Sequence, residues 1–278
     1  MAERWAAGGV GGRERGRGSV YVRILASRIR SQLAYPVSFA LDVLSQLLGQ
    51  SMELLAILVI FTQVTSLGGF SAGDVVLIYG LAATAFGLAD LTVGQVEALP
   101  DYIRTGEFDV MLLRPLGTLP QLLSADVQLR RVGRVAVGLA TLVWALREIE
   151  WTPLRVVVAV VAPLAGAVLL GAIWIAANCV SFWLVDGREV ANSVTYGSDF
   201  ATSYPITVYG PWLRRIMCFV VPGAFVAYFP ALALTGRPDP LGFPDALRYR
   251  SPLVAAAMVG VAALVWRVGV RRYQGTGS

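Results

Sequence analysis

Apolar residues run almost without interruption from Pro36 to Val268, and this run constrains the fold more than any single motif. A helix of about 20 apolar residues rises about 30 Å, which matches the hydrocarbon core of a bilayer. Only 15% of the residues are charged, whereas soluble domains carry about 25%. The sequence therefore predicts an all-α integral membrane protein.

The 23 basic residues are all arginines, and the chain contains no lysine or histidine. A Walker A loop needs a lysine for the nucleotide phosphates, so we expect no ATP site here. Without histidine, His-based triads, His metal sites and His proton relays are excluded. The net charge of +5 is explained by arginines on the cytoplasmic side of a membrane, so nucleic acid is not an expected partner.

The N-terminal region divides into two parts. Residues 1–18 are rich in Gly and Arg and have no apolar core for a cleavable signal, which predicts a disordered cytoplasmic tail. Residues 19–35 place Arg23, Ser27 and Arg30 opposite an apolar face, and Pro36 ends the pattern. This predicts an amphipathic helix that lies in the headgroup region instead of spanning.

Six spans are predicted, with both termini in the cytoplasm. They are Pro36–Thr62, Val75–Gln95, a third span that closes with Val135–Leu146, Leu154–Leu184, a fifth span, and Ser251–Val268. Glu53 lies deep in the first span, so it should face protein or a cavity instead of lipid. Gly80, Ala82, Ala83 and Gly87 favour close packing of the second span against another helix.

The fifth span has two interpretations. Leu213–Leu234 is apolar enough to cross the membrane, which would leave the polar segment Val190–Trp212 in the cytoplasm. Alternatively, Val190–Ser203 is the core of a polar span, and the segment broken at Pro222-Gly223 and Pro230 is a re-entrant pair of half-helices on the outer side. Arginine is more abundant inside in both, so charge does not decide.

The longest break in the apolar run is Glu97–Leu116, which we call the elbow. Pro100 suits the first turn of a short helix, and Gly106 can take the left-handed conformation that ends it. Pro115 then terminates the apolar segment on the far side of Gly106. The pattern predicts a short helical elbow on one face of the membrane, although a disordered connecting loop is the alternative.

Several segments together resemble the permease subunits of ABC-2 type ABC transporters. They are Glu97–Pro100, YIRTGEFDVMLLRPL (102–116), DVQLRRVGR (126–134), FWLVDGREVANSVTYG (182–197), YPITVYGPWLRR (204–215), AFVAYFPALALTGRPDPLG (224–242) and the tail RRYQGTGS. The resemblance extends from about Ser19 onward. The similar branch usually pairs its permease with a second, related permease and a separate ATPase.

The resemblance implies an ABC-2 fold of six transmembrane helices within residues 36–272. The amphipathic helix 19–35 would be the connecting helix, and the elbow would be the coupling helix that docks on the ATPase. Residues 204–234 would form the re-entrant outer hairpin, which favours the second interpretation above. Residues 273–278 would be a cytoplasmic C-terminal tail.

The resemblance further implies a bacterial plasma-membrane exporter of a drug, lipid or amphiphilic metabolite that works by alternating access. Its partners would be ABC ATPase subunits, membrane lipid, and a second permease, either related or a copy of this chain. Because the ATPase would hold the ATP and Mg, the resemblance implies no catalytic residue, cofactor or metal ion in this chain. The residues expected to couple to the ATPase are Tyr102, Ile103, Arg104, Gly106, Glu107 and Phe108.

The polar face of the fifth span supplies candidates for the translocation path. They are Asn192, Thr195, Ser198, Asp199 and Thr202, with Asp90 and Thr84 added from the second span. These side chains could equally join helices to one another. Two other classes stay open: a secondary transporter driven by an ion gradient, and an intramembrane enzyme that would need a carboxylate pair such as Asp90 and Asp199.

Overall fold

The computed structural model describes residues 36–126, 131–184 and 187–274. In these ranges it contains eleven α-helices, and the β-structure there is one isolated bridge between Leu67 and Phe70. The helices are α1 Pro36–Gln63, α2 Ala72–Val93, α3 Leu99–Arg104, α4 Glu107–Leu112, α5 Thr118–Ala125, α6 Val132–Ala145, α7 Pro153–Asn178, α8 Gly187–Thr202, α9 Pro211–Phe219, α10 Tyr228–Thr235 and α11 Ser251–Arg272. The predicted tail 1–18, the connecting helix 19–35 and most of the tail 273–278 lie outside the described residues.

By length and composition, α1, α2, α7 and α11 could each cross a membrane. Helices α9 and α10 would add a fifth span only if they formed one bent segment. Helices α6 and α8 have 14 and 16 residues, so they rise about 21 and 24 Å. The described part of the chain is thus an all-helical, multi-pass membrane protein, and the count of six spans stays a prediction.

Helix α2 lies at the centre of the bundle, and every residue from Val75 to Gly87 is buried. Helix α6 runs antiparallel to it at close range. A Cβ atom at Gly138 would lie 2.6 Å from the backbone nitrogen of Thr84, and one at Gly80 would lie 2.8 Å from that of Leu142. Only glycine fits at these two positions, which confirms that the small residues of the second span allow close helix packing.

The other side of α2 packs on α7. The Phe86 and Trp174 rings meet edge to face, with centroids 4.7 Å apart. Earlier in α7, a Cβ atom at Gly166 would lie 2.9 Å from the Ala85 side chain and 3.2 Å from that of Val226. Gly166 therefore lets residues from two other segments reach the same level of α7.

Helices α9 and α10 form a hairpin whose two ends reach the same turn, residues 64–71. Thr207 donates to the carbonyl oxygen of Gly68 at 2.8 Å, and Arg237 donates to that of Gly69 at 3.0 Å. Between these ends the chain bends by 70°. The middle of the hairpin reaches into the bundle, because Val226 packs at Gly166 of α7. Gly166 is 13 residues into α7, which is about 20 Å from the start of that helix at 1.5 Å per residue. The hairpin thus enters and leaves at one end of the bundle.

The two ends of the bundle differ in structure. We call the end that carries the elbow and the last residues of α11 the elbow end. The opposite end carries the turn 64–71, the ends of the hairpin and residues 236–250. There Arg237 pairs with Asp74. The Asp74 carboxylate also accepts from the backbone N–H of Ser71, and the Ser71 hydroxyl caps the start of α2 by accepting from the backbone N–H of Asp74.

Candidate functional site

The elbow folds as two short helices separated by one glycine. Pro100 lies in the first turn of α3, where its missing N–H costs no hydrogen bond. Gly106 comes next with a φ of 75°, in the left-handed region predicted for it, and α4 begins at Glu107. Pro115 comes after α4 has ended at Leu112. The elbow is therefore an ordered unit in this structure.

Phe108 fastens the elbow to the bundle. Its side chain is fully buried, and its ring centroid lies 5.1 Å from that of Tyr273, 5.4 Å from that of Phe182 and 6.4 Å from that of Trp266. All three contacts are edge to face, the arrangement that aromatic rings prefer. Burial, together with the neighbouring Asp109 carboxylate, raises the pKa of the Tyr273 phenol above its ordinary value.

Exposed residues of the elbow on both sides of Gly106 present apolar and charged side chains. Leu113 is 85% exposed and the Arg104 side chain 80% exposed. The other exposed members of this surface are Glu107, Val110, Leu112 and Arg114. An apolar patch with charges at its edges is typical of a surface that binds another protein.

Two polar contacts connect the elbow to α8. Asp101 of α3 pairs with Arg188 in the first turn of α8. Further along α8, the Tyr196 hydroxyl donates to the Glu97 carboxylate at 3.4 Å. The elbow and α8 are thus joined at two points about two turns apart along α8.

A buried ion pair holds α8 against the rest of the bundle. Arg134 of α6 lies 2.5 Å from the Asp199 carboxylate, and the two side chains are 10% and 13% exposed. The Arg134 guanidinium also covers the Phe86 ring, at 3.6 Å from its centroid. Arg134 therefore contacts α8 through charge and α2 through an aromatic face.

A second ion pair lies closer to the elbow. Arg131 contacts the Asp90 carboxylate at 3.1 Å and donates to the Asp90 carbonyl oxygen at 2.8 Å. Gly94 makes room for it, since a Cβ atom there would lie 2.2 Å from the guanidinium. Asp90 and Asp199 thus have separate arginine partners, an arrangement that does not favour a shared catalytic carboxylate pair.

Glu53 of α1 differs from these carboxylates. Its side chain is exposed, and among the described residues it forms no ion pair with an arginine. The Tyr79 hydroxyl lies 3.5 Å from its carboxylate and donates to the Gln50 carbonyl at 2.9 Å. Since a charge at the centre of a bilayer costs about 2.5–3.5 kcal/mol on insertion scales, this face of α1 is unsuited to lipid.

Comparison with known proteins identifies the family. The family described as "ABC-2 family transporter protein" matches residues 47–277, which is more than four-fifths of the sequence. The chain belongs to the ABC-2 transporter family. It is accordingly a membrane permease of ABC transporters, and the family implies association with an ABC ATPase. No curated protein and no solved structure gave a significant match.

The predicted coupling residues of this ABC-2 permease occupy different layers of the elbow. Arg104 and Glu107 are exposed, Tyr102 and Ile103 are half-buried against the core, and Gly106 lies at the bend between the helices. Phe108 lies beneath the surface, in the aromatic cluster. Their role towards an ATPase stays a prediction.

The predicted path residues of the ABC-2 permease lie mostly between helices. Thr195, Ser198 and Thr202 are buried, as is Thr84, while Asn192, Asp199 and Asp90 are partly buried. Among the large hydrophobic side chains of α8, Phe200 is the most exposed, at 66%. Their role in translocation stays a prediction. Among the described residues no group of three His, Cys, Asp or Glu side chains could hold a metal ion.

Sequence reasoning overlooks two features. It does not anticipate that Arg131 and Arg134 are buried in ion pairs with Asp90 and Asp199. It also gives Leu113 no role. The apolar run Val110–Leu113 is visible in the sequence, but which of its members is exposed depends on how Phe108 is buried.

Proposed function

We propose that this chain is the membrane-spanning half of an ATP-driven exporter in the bacterial plasma membrane. It would move a drug, lipid or amphiphilic metabolite by alternating access, powered by ATP and Mg held on the ATPase. The observation that carries the proposal is the elbow: an exposed patch on an ordered unit that is anchored through Phe108 and linked to α8. Such a unit can receive force at its surface and pass it on.

The topology we propose has six spans, with the elbow and both termini in the cytoplasm. Helices α6 and α8 would be the third and fifth spans, in line with the antiparallel packing of α6 on α2 and the Arg134–Asp199 pair that holds α8. The α9–α10 hairpin would be re-entrant on the outer side. Its two ends at the turn 64–71 support this assignment.

Force would travel from the elbow to α8. When ATP closes the ATPase dimer, the elbow moves with the subunit to which it is docked, and Asp101 displaces Arg188 with it. Because α8 also carries Asp199, a displacement of α8 would strain the ion pair between Asp199 and Arg134. The permease would then alternate between two packed arrangements biased by nucleotide.

A second permease, related to this chain or a copy of it, would complete the translocation path. In the 18-residue apolar stretch of α1, only 11% is buried within this chain. Its most exposed side chains include Leu41, Met52 and Val59. We place the seam along α1 and the exposed side of α8, with lipid covering the remaining apolar faces.

Co-purification with the ABC ATPase tests the docking surface. Arg104→Glu and Leu113→Asp each alter an exposed elbow side chain, and each should reduce ATPase recovery at least tenfold. Arg147→Glu is the matched control, since Arg147 is exposed at the opposite end of the bundle, and it should leave recovery unchanged.

Transport by the reconstituted complex tests the function itself. Export should require ATP and should disappear when the ATPase is inactivated by mutation. Cargo movement by the purified chain alone, indifferent to nucleotide, would instead identify a secondary transporter. Labelling of residues 102–108 from the outer face would equally refute the proposal.

A further inference from the structure

A charged cavity lies at the end of the bundle opposite the elbow. Its volume is about 370 Å³, and it is enclosed by the first turns of α2 and α7, the last residues of α10 and the segment that follows α6. Three carboxylates and two guanidiniums line it, from Asp74, Glu148, Glu150, Arg155 and Arg237. None of the predicted coupling or path residues is part of its described lining.

One pair of these charges is already committed within the chain. Arg237 pairs with Asp74 and also donates to the carbonyl oxygen of Gly69 at 3.0 Å. The two charges cancel each other, and their side chains are fixed at one wall of the cavity. They therefore leave the recognition of a ligand to the other three charged residues.

Arg155 is held in place but keeps most of its hydrogen-bond donors. Its guanidinium donates to the carbonyl oxygen of Glu150 at 2.7 Å and lies against Gly236, which has no side chain to displace it. It forms no ion pair with a described carboxylate. Because a guanidinium carries five N–H donors in a fixed fork, a positioned arginine of this kind suits a phosphate group.

Glu148 and Glu150 supply the opposite charge. Glu148 extends over the first turn of α2, since a Cβ atom at Gly73 would lie 3.1 Å from its carboxylate oxygen. Both glutamates are exposed, and neither pairs with an arginine among the described residues. The cavity thus offers one uncommitted guanidinium and two uncommitted carboxylates.

This set of charges favours a zwitterion. A lone anion would face two carboxylates, and a lone cation would face Arg155, whereas a ligand with both charges can pair each of them. Quaternary ammonium groups are commonly recognised by aromatic rings, and the described lining of the cavity contains no aromatic side chain. Carboxylates instead accept hydrogen bonds from a primary ammonium, which has three N–H donors to offer.

The cavity lies where a lipid headgroup would be found. Arg155 is the third residue of α7, one of the helices that could cross a membrane. Val156, Val157 and Val160 follow it with exposed side chains, and the exposed Trp151 precedes it. Tryptophan is enriched at the border between membrane and water, so a headgroup in the cavity would have its acyl chains beside the valines of α7.

We propose that the charged cavity binds the headgroup of phosphatidylethanolamine. Arg155 binds the phosphate, and Glu148 and Glu150 bind the ammonium. The inference goes beyond the proposed function, because it concerns the end opposite the elbow and requires neither an ATPase nor a cargo.

The binding test uses the full chain in nanodiscs that contain equal amounts of three lipids with the same acyl chains. Phosphatidylethanolamine has both charges and the N–H donors, phosphatidylcholine lacks the donors, and phosphatidylglycerol lacks the cation. Native mass spectrometry of the released protein counts the retained lipids. Phosphatidylethanolamine should be retained about tenfold more than either of the others, the preference expected from one hydrogen bond to a charged group.

Variants assign the preference to the cavity. Arg155→Gln and the double variant Glu148→Gln with Glu150→Gln should each remove it, whereas Arg155→Lys keeps the positive charge and should keep most of it. Two controls change charges at the same end of the bundle but outside the described lining. They are Asp245→Asn, whose side chain is 81% exposed, and Arg147→Gln, also exposed, and both should leave the preference unchanged.

A methylation series on the unmodified chain keeps the test informative if a variant folds poorly. Retention should fall stepwise from phosphatidylethanolamine through its monomethyl and dimethyl forms to phosphatidylcholine, as N–H donors are lost. Equal retention across this series, or stronger retention of phosphatidylglycerol, would overturn the inference. Equal effects of the controls and the cavity variants would overturn it as well. Displacement of the lipid by soluble phosphoethanolamine at an equal concentration would identify a soluble zwitterion as the ligand, and the lipid assignment would be wrong.

Discussion

The Arg134–Asp199 pair gives a quantitative test of how α8 is held. Both partners are about nine-tenths buried, and removing one member of such a pair costs about 3–5 kcal/mol because the other charge is left uncompensated. Arg134 also covers the Phe86 ring at 3.6 Å, a contact worth about 2 kcal/mol when desolvated. Arg134→Met should therefore destabilise the protein by about 2 kcal/mol more than Asp199→Asn does.

The double variant Arg134→Met with Asp199→Leu should recover most of this loss. Replacing a buried pair by packed apolar side chains is commonly neutral or stabilising by about 1–4 kcal/mol. The free energy of unfolding of the full chain in bicelles measures all three variants, with Arg147→Met at an exposed position as the control. A double variant whose loss equals the sum of the two single losses would refute the reasoning, because it would show that the two side chains act independently.

Three other variants test the packing and the elbow. Phe108→Ala should lower the free energy of unfolding by about 3–5 kcal/mol, as for other buried phenylalanines. It should also reduce recovery of the ATPase in co-purification. Full ATPase recovery would contradict the anchoring role of Phe108. Gly138→Ala should destabilise the protein by about 1–3 kcal/mol, because its Cβ would lie 2.6 Å from the α2 backbone. Gly197→Ala in α8 meets open space and should stabilise the protein by up to about 1 kcal/mol. Equal effects of the two variants on thermal unfolding would disprove the close approach of α6 to α2. Thr195→Val should stabilise the protein by about 1 kcal/mol, because the buried Thr195 hydroxyl has no hydrogen-bond partner among the described residues. A loss of stability in the same assay would show that this hydroxyl has a partner.

Much of the fold can be read from the apolar pattern alone. The predicted first span, Pro36–Thr62, differs from α1 by one residue at its end, and the last span begins at Ser251 as predicted. Pro100 and Gly106 shape the elbow locally, because proline fixes its φ near the helical value whereas glycine tolerates the positive φ that other residues rarely adopt. These signals are local, and the sequence displays them directly.

The arrangement of the candidate site depends on contacts that no local pattern reveals. Arg134 and Asp199 are 65 residues apart in the chain, and no rule based on local composition predicts that they pair. Phe108 is buried by Tyr273, at the far end of the sequence. The position of α11 therefore decides which apolar residue of the elbow is buried. Only the tertiary structure shows that position.

The turn that joins α1 to α2 has a mechanical consequence. The carbonyls of Gly68 and Gly69 bind Thr207 and Arg237, one at each end of the α9–α10 hairpin. A tilt of α1 that displaces this turn would therefore pull on both ends of the hairpin. Movement of α1 and movement of the hairpin would thus be coupled through two side chains at the end of the bundle opposite the elbow.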